Sequence, residues 1–482
     1  MTLRRRTFLS ALTRTGAAAL VAPSLAGLAA WNFATPSLAR AATARRQAFQ
    51  RAVGYGALRQ SSTCPELDIP EHFHVVRISE ALRSASTRPD LIVPNAFDGM
   101  ASFRLPNGNT RLIRNHEMGD RAGVAPPLAA RCYDPKATGG TTSLEVRIRG
   151  AGASRRIEVL DEFVSLAGTR VNCAGGPTPW GSWLSCEENC AGPTHGFDQP
   201  HGYVFEVPAS AREPVEPVPL KAMGRFVHEA IAVDPATGIV YETEDAWYDP
   251  ERADRPGAGF YRFIPKQAGE LAEGGRLQIL AVRGQPRYLT ARGQTAGMSL
   301  PVTWVDIEAP DPAAAETEPT TVFREGLAKG AAIFARLEGA WYGDGGIYIV
   351  STNGGDATAG QVFFYRPLSA TEGELSLVFE SPGAEVLNAP DNICTTPRGG
   401  LVICEDGGGA LFLRGLDRSG RIIDLVRQPI REGELPPREF AGVCFSSDGE
   451  VLFFNIQGDT STRGKRPSAT YALWGPWVRG PL

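Results

Sequence analysis

Short apolar runs, many alternating with polar positions, recur along this chain and are cut by turn residues. The stretch Glu229–Asp245 shows the pattern. An acidic residue opens an apolar run, Asp234-Pro-Ala-Thr-Gly238 makes a turn, and a second apolar run ends in Glu242, Glu244 and Asp245. Two strands joined by a tight turn bring Glu229 and that acidic group to one end of a hairpin.

The same plan returns six times. Polar openers stand at Asp98, at Asn172 or Cys173, and at Glu229, Glu338, Asp391 and Glu439. Polar closers end the second run at Asn115 to Glu117, Glu187 or Glu188, Glu244 or Asp245, Asn353, Glu405 or Asp406, and Asn455. Each copy carries a glycine turn, such as Asn107-Gly108 in the first. The spacing is irregular, with an insertion around residues 267–334 in which Leu277–Val282 and Val302–Ile307 read as strands and Thr321–Ala331 as a short helix. Radially repeated hairpins predict an all-β fold, a six-bladed β-propeller with long inter-blade insertions. After Asn455 one strand-like run remains, Ala469–Leu473, so the alternating His74–Ile78 is predicted to close the ring as the outer strand of the last blade. Residues 45–72 read as irregular.

Composition adds an address and removes some functions. The chain has 482 residues and a net charge of -4, which gives no basis for nucleic-acid binding. Arg5-Arg6-Thr7-Phe8-Leu9 precedes a mild apolar stretch, Ala11–Ala30, broken by Arg14 and Pro23, with small residues near Ala39 and Ala44. This reads as a twin-arginine (Tat) signal peptide over residues 1–44 rather than a membrane anchor. Residues 45–482 are then one propeller domain, periplasmic or secreted, a monomer whose macromolecular partner is the Tat export machinery. That route carries folded proteins, often with a metal inside. Of the eight cysteines, Cys394, Cys404 and Cys444 sit in apolar runs and are expected to be buried, while Cys64 with Cys132, or Cys186 with Cys190, are possible disulfide pairs.

The repeat itself asks for cations. In a propeller the openers ring one mouth of the central channel. Carboxylates about 4 Å apart repel by roughly 4 kcal/mol at an effective dielectric near 20, so several together require a cation or raised pKa values. Hard oxygen donors suit Ca²⁺, and a thiolate at Cys173 favours a transition metal such as iron. Arg336, two residues before Glu338, and Asn115 are candidates to hold an anion, although a salt bridge to a carboxylate is as compatible with the position of Arg336. For His116 and His228 a hydrogen-bonded core position is favoured over metal ligation.

The motifs Phe97-Asp-Gly-Met, Arg114-Asn-His-Glu, Asn172-Cys-Ala-Gly-Gly-Pro-Thr-Pro-Trp-Gly, Gly224-Arg-Phe-Val-His-Glu-Ala, Arg336-Leu-Glu, Ala389-Pro-Asp-Asn and the ending Gly475-Pro-Trp together resemble the PhoX-type bacterial alkaline phosphatases, in a shorter-chain branch. The resemblance implies phosphomonoester hydrolysis by a mixed iron (Fe³⁺) and calcium cluster in the propeller channel. It implies Cys173 as an iron ligand; Glu229, Glu338, Asp391, Glu439 and Glu187 or Glu188 as ligands to iron or calcium; and Asn115 and Arg336 as holders of the phosphoryl oxygens. The alternatives are a calcium-dependent lactonase or phosphodiesterase on the same ring, or a non-catalytic calcium-binding propeller.

Overall fold

A computed structural model describes residues 54–119, 130–460 and 465–482 of the chain. The signal-peptide reading of residues 1–44 lies outside them. All eight cysteines are free, so neither suggested pair is a disulfide, and Cys394, Cys404 and Cys444 are buried as expected. No described helix is long and apolar enough to cross a membrane.

The described residues are almost entirely strands joined by turns, and every strand-to-strand pairing is antiparallel. Each copy of the sequence pattern is a small sheet that starts with its opener strand. These first strands are Phe97–Arg104, Asn172–Pro177, His228–Val233, Leu337–Gly343, Pro390–Thr395 and Phe440–Phe445. The turns form as the sequence asks. In the third copy Asp234 accepts the Ala236 N–H at 2.9 Å and the Thr237 hydroxyl at 2.8 Å, and Gly238 takes a φ of 71° that suits a residue without a Cβ.

The first sheet has four strands, the second three. The third and fourth sheets fuse into one of nine strands, because Ser299–Asp306 from the insertion pairs with Gly275–Val282 on one side and Glu372–Glu380 on the other. The insertion helix is Thr321–Ala328. The stretch before residue 73 is more regular than its sequence suggests. Leu58–Gln60 and Asp68–Pro70 extend the fifth sheet at its edge, where Arg427 reaches the Asp68 carboxylate. In the sixth sheet His74–Glu80 pairs with Ala469–Trp474, over partners running from Glu80 with Ala469 to His74 with Trp474.

Alternate residues of a strand serve two neighbours. In the third copy Ile231 and Val233 face the second sheet, while Ala230 and Ala232 face the fourth. This explains why the runs are apolar throughout instead of polar on one side. A buried apolar cluster lies between every neighbouring pair of sheets, the sixth and first included, where Met100, Leu112 and Leu144 meet Cys444, Val451 and Phe453. The six first strands likewise touch in a closed cycle, each against the next and Phe440–Phe445 against Phe97–Arg104. They approach so closely that a Cβ on Gly339 would fall on the Asp391 carbonyl. Trp341 packs against the clusters of four interfaces and fills the space they share. The cavity beside it, lined also by Gly99, Ala230 and Asn392, is about 10 Å³, too small for more than one water.

Candidate metal centre

The local geometry that builds the site repeats in each copy. The residue after the end of the second strand donates its backbone N–H to a carbonyl just before the first strand, at 2.8–3.1 Å. The pairs are Glu117 to Ala96, Glu188 to Val171, Asp245 to Val227, Thr352 to Arg336, Asp406 to Ala389 and Gln457 to Glu439. Four of the acceptors, Ala96, Val171, Arg336 and Ala389, have φ between 46° and 53°, a left-handed conformation costly for a residue with a Cβ. Two residues on come Asp98, Cys173, Glu229, Glu338 and Asp391, each lying within a bulge in the pairing. The bulge releases the opener from the regular alternation, and the preceding strained turn fixes its direction.

The sixth copy departs from the expected pattern. Its equivalent of the openers is Ala441, paired with Asn455. Glu439 stands instead where Arg336 stands in the fourth copy, and from there its carboxylate joins the group.

The paired acids at strand ends divide by position. Glu187, the last residue of its strand, accepts the backbone N–H groups of Arg170, Gly202 and Tyr203 at 2.8–3.1 Å and lies 2.6 Å from Nδ1 of His201. Its oxygens are therefore taken up by protein donors, and Glu187 is not among the donor atoms that gather at the centre. Glu244 and Glu405 act alike on the Gly259 and Phe412 N–H groups. The following residue in each case, Glu188, Asp245 or Asp406, faces the centre. In the fourth and sixth copies the equivalent backbone position is held by Thr352 and Gln457 rather than by the expected closers Asn353 and Asn455; the Thr352 hydroxyl donates to the Pro390 carbonyl at 2.7 Å, and Oδ1 of Asn353 has no hydrogen-bond partner. Gln457, which sequence reasoning missed, donates from Nε2 to Asp98 Oδ2 and Glu117 Oε2, both at 2.8 Å.

Two sets of donor atoms gather within 4.8 Å of one another: Glu117, Cys173 and Glu188, and Glu229, Glu338 and Asp391. Both oxygens of the buried Glu229 and Oδ1 of Asp98 have no hydrogen-bond partner. A buried carboxylate without a partner is costly. Burial, and then neighbouring carboxylates, raise Asp98, Glu188, Glu229, Glu338 and Glu439 well above the ordinary carboxylate range, Glu117 to about 8 and Asp391 to about 7. The same burial raises the Cys173 thiol, whose Sγ lies 3.6 Å from Asp98 Oδ2. A set of orphaned oxygens and one sulfur held this close fits cations, and the division into a thiolate-bearing set and an all-oxygen set fits two kinds of cation.

Arg336 is the guanidinium set against these acids. Its Nε and Nη2 each donate to Asp245 at 2.8 Å, and Nη2 also reaches Glu338 Oε1 at 2.5 Å. Burial opposes its charge, but Glu338 and Asp245 outweigh that and hold it protonated. Both sequence readings of Arg336 are thus compatible, since a salt-bridged fork retains free N–H groups. Its guanidinium lies 5.1 Å from the ring centre of Trp247, which the site's loop carries.

Asn115 does not join the group. It is fully buried; its amide donates to the carbonyls of Cys173 at 3.1 Å and Ala174 at 2.6 Å, and its oxygen accepts from Trp183 and Ser185. The end of the strand separates the two residues: Asn115 and Glu117 share parity, but the strand ends between them, at His116. His116 lies between the Asn95 carbonyl and the Thr142 hydroxyl, and His228 lies 3.3 Å from Glu242. Both are core positions.

A family model described as alkaline phosphatase PhoX matches residues 53–459. No curated protein matches the sequence. Among solved structures, Pseudomonas fluorescens PhoX in complex with vanadate, a transition state analogue, aligns with a TM-score of 0.64 at 18% identity, over 89% of this chain and 99% of that one. At that identity the likeness is one of fold. A protein of unknown function from Dyadobacter fermentans aligns over 83% of this chain and 99% of that one at 8% identity, and its TM-score of 0.42 carries no argument.

Proposed function

The chain belongs to the alkaline phosphatase PhoX family and is a phosphomonoester hydrolase, and we propose that it works at the acid ring described above, with iron and calcium as its metals. The observation that carries this is Arg336, a half-buried guanidinium locked by Asp245 at the edge of a carboxylate cluster in which Glu229 and one oxygen of Asp98 have no partner. Glu117, Cys173 and Glu188 fit iron (Fe³⁺), since a thiolate beside two carboxylates suits a transition metal. Glu229, Glu338 and Asp391 fit calcium, as hard oxygen donors, with Asp98, Glu439 and Asp406 around them. Bound there, the metals supply Lewis-acid charge toward the phosphoryl group.

The chain's own contribution is placement. Asp245 fixes the plane of the Arg336 fork, and the free N–H groups of that fork hold two equatorial phosphoryl oxygens as charge builds on them. Glu338 bridges the fork to the all-oxygen set, so the phosphoryl group and the cations share one origin. Asn115 acts behind the site, holding the backbone at Cys173 and Ala174.

The surrounding reading is of the same kind. The closed cycle of first strands and the apolar clusters between all neighbouring sheets support a six-bladed propeller over residues 45–482, closed by His74–Glu80. The twin arginines support Tat export of a monomer to the periplasm or medium.

The test is direct. Purified protein is analysed for its elements and assayed on p-nitrophenyl phosphate before and after chelation. Iron and calcium should copurify, and chelation should abolish hydrolysis. Arg336→Ala should lower kcat/KM by roughly 10²–10³-fold, the effect of losing one oxyanion donor. Metal-loaded protein inert toward every phosphomonoester, or an Arg336→Ala variant with full activity, overturns the assignment.

A further inference from the structure

The centre explains how a phosphoryl group is held, but not what the rest of the ester touches. The loop between the second and third strands of the third copy offers an answer. It leaves the site at Asp245 and returns at Gly259. Two residues after Asp245 it presents Trp247, which is 47% exposed. Trp247 is the one aromatic residue among the exposed large hydrophobic side chains of the described residues. It does not stand in isolation on the surface. The Arg336 guanidinium lies 5.1 Å from the centre of its ring, and that of Arg255 lies 5.2 Å away.

The loop under the indole is braced. The Trp247 carbonyl accepts the Gly257 N–H at 3.0 Å, and the Ala246 carbonyl accepts that of Arg336 at 3.0 Å. Tyr248 and Pro256 form a bridge, and the Asp249 N–H donates to the Arg255 carbonyl at 3.0 Å. The ring is therefore set in place before a substrate arrives, so binding to it costs little ordering. An exposed indole flanked by two cations, adjoining a phosphate-holding arginine, suits a flat aromatic group attached to an anion.

Resting on the phosphomonoesterase reading, we propose that Trp247 is the platform for the leaving group, with Arg255 beside it, and that the preferred substrates are phosphomonoesters of planar aromatic alcohols over those of small aliphatic ones. The residue touches the ester's alcohol half and is a specificity determinant; the phosphoryl group stays with Arg336.

The experiment compares metal-loaded wild type, Trp247→Ala and Trp247→Phe on p-nitrophenyl phosphate and glycerol phosphate. Inhibition by inorganic phosphate is measured alongside. The wild type should show the lower KM for the aryl ester. Trp247→Ala should raise that KM about three- to ten-fold, with kcat, glycerol phosphate KM and phosphate inhibition within twofold of wild type, and Trp247→Phe should recover most of the loss. Equal losses on both esters, or weakened phosphate inhibition, would show that Trp247 only orients Arg336 and would overturn the proposal. An unchanged KM ratio would also overturn it and leave the phosphatase reading standing. A wild type inactive on both esters instead removes the phosphatase reading.

Discussion

Glu187 and Glu188 are neighbours in sequence with opposite duties. The first anchors the loop that carries His201 to Tyr203; the second faces the metal centre. Glu188→Gln should therefore lower the metal content of purified protein, read by elemental analysis, while its melting temperature under chelator stays close to that of metal-free wild type. Glu187→Gln should keep metal-binding residues intact but lose about 2 kcal/mol of stability, because N–H groups that met a carboxylate then meet an amide. The reverse pattern would show that the division is wrong. His201 adds a pH signature. Burial disfavours its charge, but Glu187 and Asp134, 2.6 and 3.5 Å away, prevail and raise it to about 9. Since the unfolded value is near 6.5, the stabilisation is complete below that pH and is lost as pH rises through about 9, roughly 3 kcal/mol in all. Melting curves of wild type and His201→Asn between pH 6 and 10 should converge at the alkaline end; parallel curves would contradict the charged pair. None of this division was legible from composition. Both acids of each pair looked equivalent, and only the point where the strand stops decides which of them turns inward.

At the scale of the element, the hairpins could be read from sequence because apolar runs and turn residues are local signals. Asn107-Gly108 and Asp234 to Gly238 each mark a turn that formed. The bulge at each opener could not be read, because it depends on the neighbouring first strand. Glu439 shows the consequence: as an acid ahead of an apolar run it looked like Glu338, yet it occupies the place of Arg336. The short strands Leu58–Gln60 and Asp68–Pro70 were missed for a related reason, since their partner is the edge of a distant sheet. Close approach of first strands is testable at Gly339. Gly339→Ala should cost about 1–3 kcal/mol by overpacking and should reduce metal content, because the displaced neighbour is the backbone of Asp391. A variant with normal melting and full metal would show that the strands have room to spare.

For the molecule as a whole, the site gathers charge that the fold by itself does not neutralise. Metal-free protein should melt well below the loaded form, by an amount that grows with free metal concentration; binding at a thousand times Kd contributes about 4 kcal/mol. Calorimetry with and without chelator checks this, and equal melting temperatures would mean that the cations are not part of the folded state's stability. Length, turn content and six polar openers, five of them acidic, were enough to suggest a ring with something positive at its mouth. The identity of the side chains that receive the substrate was not, since Asn115 and Trp247 exchange their apparent importance once burial is known.

The donors are drawn from the full span of the chain, from Asp98 in the first sheet to Gln457, which holds Asp98, in the last. A ribosome-bound chain that has not yet emitted residue 457 has most of the acids but not the arrangement. Closure of the cluster therefore waits for the sixth sheet, and contacts this distant in sequence form slowly. Possession of the complete cluster reports that the first and sixth sheets have met.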